Sequence, residues 1–159
     1  MIRSFGGIMA MLLCAIGAMS VHAAPAPAWH PTHAWFAQYV AAFNSQNPKL
    51  FTSEFFSPNI IFHRNNNRDT HGRDAYVAEY IGMHDGLQEV LHPQKVVIEG
   101  DLVAAELKVE FHATKDQPHF ILRPVKAGEV FIVKMFVFYE TKDGKIQSIT
   151  DAHWTPGVQ

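Results

Sequence analysis

The sequence predicts an α+β domain, with N-terminal helices packed on one face of a curved antiparallel sheet. Apolar residues recur at helical spacing from Trp35 to Phe43 and again at positions 76, 77, 80 and 81, whereas from His92 onward the apolar period becomes two. Helices followed by a run of strands, with no internal repeat and no second domain, is the order of a sheet covered on one side. The third observation is Asp143-Gly144 between two strand-like segments, which supplies the turn geometry of a tight hairpin.

The first residues fall outside that domain. Met1-Ile2-Arg3-Ser4 carries one positive charge ahead of an apolar run from Ile8 to about Ala18, and Ser20-Val21-His22-Ala23-Ala24-Pro25 follows. This is the pattern of a secretory signal peptide, residues 1–23, cleaved after Ala23. Residues 24–28 then read as an extended Pro-Ala linker and residues 29–159 as the folded domain. The apolar run is short for a membrane span, and Leu13 ahead of Cys14 argues against lipid attachment there. The expected location is secreted or periplasmic, with no membrane attachment after cleavage. Cleavage removes Cys14, the only cysteine, so no disulfide and no thiol nucleophile remain. It also removes Arg3, leaving 12 of 13 basic residues against 15 acidic ones without a block of like charge, which disfavours nucleic-acid binding. The roughly 136 residues that remain suit one hydrophobic core.

Within the domain, Thr32 is placed to cap a first helix that ends between Asn44 and Pro48. A short second helix is expected over Lys49–Phe56, and Asn59-Ile60-Ile61-Phe62-His63 reads as a strand. Arg64 to Thr70 is polar and reads as a loop. Gly72 precedes a third helix over residues 73–81. Strands are expected over Val96–Glu99 and Val103–Thr114 around a Gly100-Asp101 turn, then over Glu129–Thr141 and Lys145–Trp154. Lys115 to Gly128 contains His119-Phe120-Ile121-Leu122, too apolar for a solvated loop, and reads as a flap or an interface. Lys134 interrupts the apolar run Val130 to Phe138, either as an edge residue toward solvent or as a buried cation, which would be costly unpaired.

Tyr39 sits on the apolar stripe of the first helix with Trp35, Phe36, Val40 and Phe43, and a buried hydroxyl needs a partner. The ten histidines show no spacing typical of a metal site, so no metal is expected. On the final strand, alternation puts Gln147, Ile149, Asp151 and His153 on one face and Ile146, Ser148, Thr150, Ala152 and Trp154 on the other.

Tyr39-Val40-Ala41-Ala42-Phe43-Asn44, the Asn59–His63 strand, Gly72-Arg73-Asp74-Ala75 and Asp143-Gly144-Lys145-Ile146 occur in the order and spacing of the SnoaL-like group of the NTF2-like superfamily. From about Trp29 to Trp154 the chain resembles that group. The resemblance implies a cone-shaped half-barrel closed by helices around an apolar cavity, commonly dimerising through the outer sheet face, so a homodimer is expected. It does not settle activity, since this cone hosts isomerases, dehydratases, cyclases and binding proteins. Tyr39 matches the tyrosine that donates a hydrogen bond to substrate oxygen in the ketosteroid isomerases. Their proton-shuttling aspartate falls on His63 without a gap, or on Arg64 with a one-residue insertion. Their second oxyanion donor falls near Phe136. No carboxylate stands at any of these positions, which argues against steroid isomerisation.

The resemblance also implies that the Ile149, Asp151 and His153 face looks into the cavity. The expected catalytic set is then Tyr39 as oxyanion donor, His63 as general base or acid, and Asp151 and His153 as orienting or alternate proton carriers. Trp35, Phe43, Phe62, Tyr80, Phe111, Phe120, Phe136 and Ile149 are the expected substrate contacts, although these aromatic rings would equally well fill the cone. Two functions of different class remain open. One is cofactor-independent isomerisation, dehydration or cyclisation of a small, largely apolar oxygenated molecule. The other is capture of an apolar ligand without turnover, or an accessory role in protein association.

Overall fold

The computed structural model describes residues 28–64 and 68–154, with the side chain of Trp154 left aside. The expected signal peptide and most of the linker lie outside the described residues. The elements are α1 (His33–Asn44), α2 (Pro48–Phe55), β1 (Phe56–His63), β2 (Thr70–His71), α3 (Arg73–Met83), β3 (Leu87–Glu99), β4 (Leu102–Ala113), β5 (Val130–Lys142) and β6 (Lys145–Trp154). They form one six-stranded sheet of order β2-β1-β6-β5-β4-β3, in which β3 to β6 make an antiparallel meander and β1 runs parallel to β6. This is the α+β class that the sequence predicts.

Each helix starts where its local chemistry directs. The Thr32 hydroxyl accepts from the Trp35 amide at 3.1 Å, and Phe36, Tyr39, Val40 and Phe43 form the buried stripe of α1. Asn47 caps α2 with Pro48 in its first turn, and Phe51, Thr52 and Phe55 face inward. Gly72 precedes α3 at φ 90°, a left-handed backbone that suits glycine, and donates its amide to the Ile60 carbonyl at 2.8 Å. The end of α1 is tied to the edge strand β3. Asn44 accepts from the Leu91 amide at 2.8 Å and donates to the Leu91 carbonyl at 3.0 Å, while Gln46 donates to the Glu89 carbonyl at 2.7 Å. These side chains satisfy backbone groups on an edge strand that has no further neighbour in the sheet.

Several boundaries differ from the sequence expectation for physical reasons. β3 begins at Leu87, well before Val96, because Gln94 forms a bulge between Pro93 and Lys95. The bulge reverses parity, so Leu87, Glu89 and Leu91 face inward before it and Val96 and Ile98 after it. The reversal, with a proline beside it, hides one long strand behind two short patterns. β1 begins at Phe56, not Asn59, taking over the last residue expected in α2. Thr70, expected at the end of a loop, pairs with Phe62, and His71 after it pairs with Ile61.

A second bulge changes β6. Glu140 pairs with Ser148 and Thr141 with Ile146, leaving Gln147 as the extra residue. Ile146, expected on the outer face, is therefore fully buried on the same side as Ile149, Asp151 and His153, opposite inward-facing Thr141, Tyr139, Val137 and Met135. Asp143 and Gly144 turn the hairpin at φ 50° and 79°, both in the left-handed region that such a turn requires. Lys134 faces outward, 2.9 Å from Glu106, which resolves it as a solvent-side residue.

Candidate active site

The inner sheet face with α1 and α3 lines a cavity of about 130 Å³, and the 115–128 segment covers it with Phe120, Ile121 and Leu122. Phe120 packs against Phe111 and Phe131, with ring centroids 5.4 and 6.1 Å apart, so this segment is a flap over the interior. The cavity lies below the usual ~300–1,000 Å³ of ligand sites. It is comparable to the apolar cavity of about 150 Å³ that holds one benzene ring.

Of the expected catalytic set, Tyr39, Asp151 and His153 line this cavity and His63 does not. His63 ends β1 with its Nδ1 3.1 Å from Asp69, both side chains partly exposed. The next residue, Arg64, lines the cavity instead. Of the expected substrate contacts, Phe43, Phe62, Tyr80, Phe111, Phe120 and Ile149 line it. Trp35 packs away from it, edge-on between Trp29 and Phe55. Phe136 is 43 % exposed on the outer sheet face, because inward-facing Met135 and Val137 flank it.

All four tyrosines of the chain, Tyr39, Tyr76, Tyr80 and Tyr139, line the cavity. Burial, the dominant cause in each case, pushes their phenols above the ordinary tyrosine range and keeps them as neutral hydroxyls. The Tyr39 and Tyr139 rings pack edge-on with centroids 5.5 Å apart, and each phenol influences the titration of the other. The Tyr80 hydroxyl is buried and has no hydrogen-bond partner among the described residues, and the same holds for Nε of Arg64. Each such group costs about 1–3 kcal/mol while unsatisfied. Arg64 is otherwise well held. Its guanidinium lies 5.0 Å from the Phe62 ring centroid and 2.8 Å from Glu79, whose carboxylate also accepts from Thr70 at 2.6 Å. The short β2 strand thus serves to place Thr70 beneath that carboxylate.

Two carboxylates share the wall. Burial raises Asp151 above its ordinary value, opposed by the positive charges of His153 and Arg64. Glu89 is buried, with Oε2 2.7 Å from Nε2 of His84; Nδ1 of the same ring lies 2.8 Å from the Tyr80 carbonyl. Sequence reasoning missed Glu89, Tyr76 and Tyr139. Val133-Val137-Tyr139 parity was available for Tyr139, while the bulge at Gln94 obscured the strand that carries Glu89. Among the described residues, no three His, Cys, Asp or Glu side chains gather as a metal site.

The chain is similar to known proteins in the region that builds this cavity. The profile of the SnoaL-like domain matches residues 36–149. A proposed polyketide cyclase from Pseudomonas putida KT2440 is 22 % identical with a TM-score of 0.61, covering 77 % of this chain and 90 % of its own. A SnoaL-like polyketide cyclase from Agrobacterium tumefaciens is 17 % identical with a TM-score of 0.62, over 76 % and 89 %. A protein of ketosteroid isomerase-like fold from Catenulispora acidiphila, solved with trimethylamine, is 17 % identical with a TM-score of 0.60, over 77 % and 86 %. At these identities the likeness is one of fold. No protein with a curated description matches.

Proposed function

Because the chain belongs to the SnoaL-like domain family, we propose that it is a cofactor-independent acid/base enzyme of the isomerase, dehydratase or cyclase type. Its substrate is a compact, largely apolar oxygenated molecule of about one ring. The observation that carries this reading is the convergence of all four tyrosines, held neutral by burial, on one apolar cavity that also holds Asp151. Neutral phenols in a largely apolar cavity are donors for the oxygen that gains negative charge when a proton leaves the carbon beside a carbonyl. Tyr39, backed by Tyr139, is the oxyanion donor of this scheme, and the unpartnered Tyr80 hydroxyl and Arg64 Nε are further contacts for ligand oxygen. Asp151, which burial disposes to keep its proton, is the acid that delivers one, with His153 beside it at the open edge. The role expected for His63 has no support from its place outside the lining. Export follows from the N-terminal pattern, so the secreted chain should begin at Ala24, which mass spectrometry of culture supernatant or periplasm tests.

The activity is tested by deuterium exchange at the α-carbon of cyclohexanone and acetophenone in heavy water, followed by proton NMR. The purified protein should accelerate exchange, and Tyr39→Phe should lower the rate about 10²–10³-fold. Binding of either ketone without accelerated exchange would reject the enzyme reading in favour of ligand capture.

A further inference from the structure

Glu89 and His84 form a pair whose hydrogen bonds constrain where a proton lies. The Tyr80 carbonyl can only accept, so the 2.8 Å contact requires a hydrogen on Nδ1 of His84. The 2.7 Å contact between Nε2 and Glu89 Oε2 requires a second hydrogen between them, since two lone pairs would repel at that distance. The pair therefore holds one shared proton, and only its imidazolium–carboxylate form leaves a carboxylate free to take another. The pair is firmly fixed. The His84 ring stacks on Tyr80 at 3.8 Å and 18°, its side chain is 6 % accessible, and Gln46 clamps the backbone of Glu89.

Glu89 faces the cavity, and His84 is the only hydrogen-bond partner of its carboxylate among the described residues. Its negative charge is felt by Tyr39 on α1, Tyr76 and Tyr80 on α3, Tyr139 on β5 and Asp151 on β6. Near its own end of the fold, Asp85 and Lys115 pair with each other in solvent. One carboxylate oxygen is thus engaged by His84, and the lone pairs of the other remain for the cavity.

We propose that Glu89 is the catalytic base of the cavity and His84 the residue that positions it. This inference rests on the acid/base reading and assigns a step that the reading leaves without a residue. Glu89 removes a proton from the carbon beside the ligand carbonyl. The C–H electron pair becomes the enolate double bond, and the negative oxygen is held by the phenol donors. When the proton on Glu89 is replaced by a solvent deuteron before return to the same carbon, the result is exchange with solvent. Delivery by Asp151 to another atom gives isomerisation or expels a hydroxyl as water, after which Glu89 releases its proton to solvent and Asp151 regains one. The two carboxylates thus divide into base and acid through their different surroundings.

Two measurements on the mature chain test this. In protein labelled with ¹⁵N-histidine, both ring nitrogens of His84 should carry hydrogen at the pH of the exchange assay, as the two contacts of the ring require, and Glu89→Gln should change that signature. An unprotonated Nε2 in the wild type, or no response to Glu89→Gln, overturns the shared-proton pair whatever the activity. In the cyclohexanone assay, Glu89→Gln should lower exchange about 10²–10⁴-fold in protein that retains wild-type circular dichroism. Exchange retained by Glu89→Gln overturns the role of Glu89 while leaving the acid/base reading intact. No exchange by the wild type overturns both.

Discussion

Asp151 faces opposing demands within one side chain. Burial favours its protonated form, while His153 and Arg64 favour the carboxylate, and burial prevails because the pKa is raised above 3.8. The folded state therefore binds this proton more tightly than the unfolded chain does. The stability that follows is complete below about pH 3.8 and is lost as pH rises through the raised folded value. Above the ordinary carboxylate range, folding must either bury the charge or take up a proton, and both oppose it. Asp151→Asn should raise Tm near pH 7 relative to wild type, with the gain vanishing near pH 3, in a melting series across that range. A gain that grows toward low pH would contradict the direction of the shift. Removing the carboxyl also removes the proposed acid, so a more stable protein should turn over less, the usual opposition between stability and function at a working site.

At the scale of elements, two bulges decide what the sheet presents. Gln94 lets one edge strand aim Glu89 at the cavity and still place Val96 and Ile98 inward further on; Gln147 puts Ile146 and Asp151 on the same face. A strand with period two cannot do either without an extra residue. Deleting Gln147 should close its bulge, and because Ser148 then follows Ile146 directly, strict alternation keeps Ile146, Ile149 and Asp151 on the inner face. A thermal melt should therefore show a Tm close to that of the wild type. A clear fall in Tm would mean that the bulge itself, through its local twist, holds the hairpin. The helices and most of β4 to β6 were legible because their apolar periods run unbroken. β3 was only partly legible, because a bulge beside a proline is a change of phase that periodicity reads as two separate pieces.

The whole molecule has an inner face committed to the cavity and an outer face that is unusually apolar. Val97, Val130, Ile132, Phe136 and Phe138 are each between 43 % and 63 % exposed on outward positions of β3 and β5, beside Glu106, which Lys95 and Lys134 approach at 3.3 and 2.9 Å. Exposed apolar side chains in this number on one sheet face favour a partner, and a second copy of the chain is the one proposed. The purified mature chain should sediment as a dimer, and Phe136→Glu with Phe138→Glu should give a folded monomer; a wild-type monomer would reject the proposal. The sequence by itself determined the α+β class, the three helices, the hairpin at Asp143-Gly144, the place of Tyr39 on an apolar stripe and the shared face of Ile149, Asp151 and His153, while it was the family resemblance that implied that this face looks inward. Those are local properties, set by periodicity, capping and turn chemistry along adjacent residues. Only the tertiary structure decided that His63 lies outside the lining while Arg64 joins it, that Phe136 faces out, and that Glu89 meets His84 beside four tyrosines. The physical reason is that side-chain convergence depends on strand register. A single extra residue resets that register at a point where local composition shows no change.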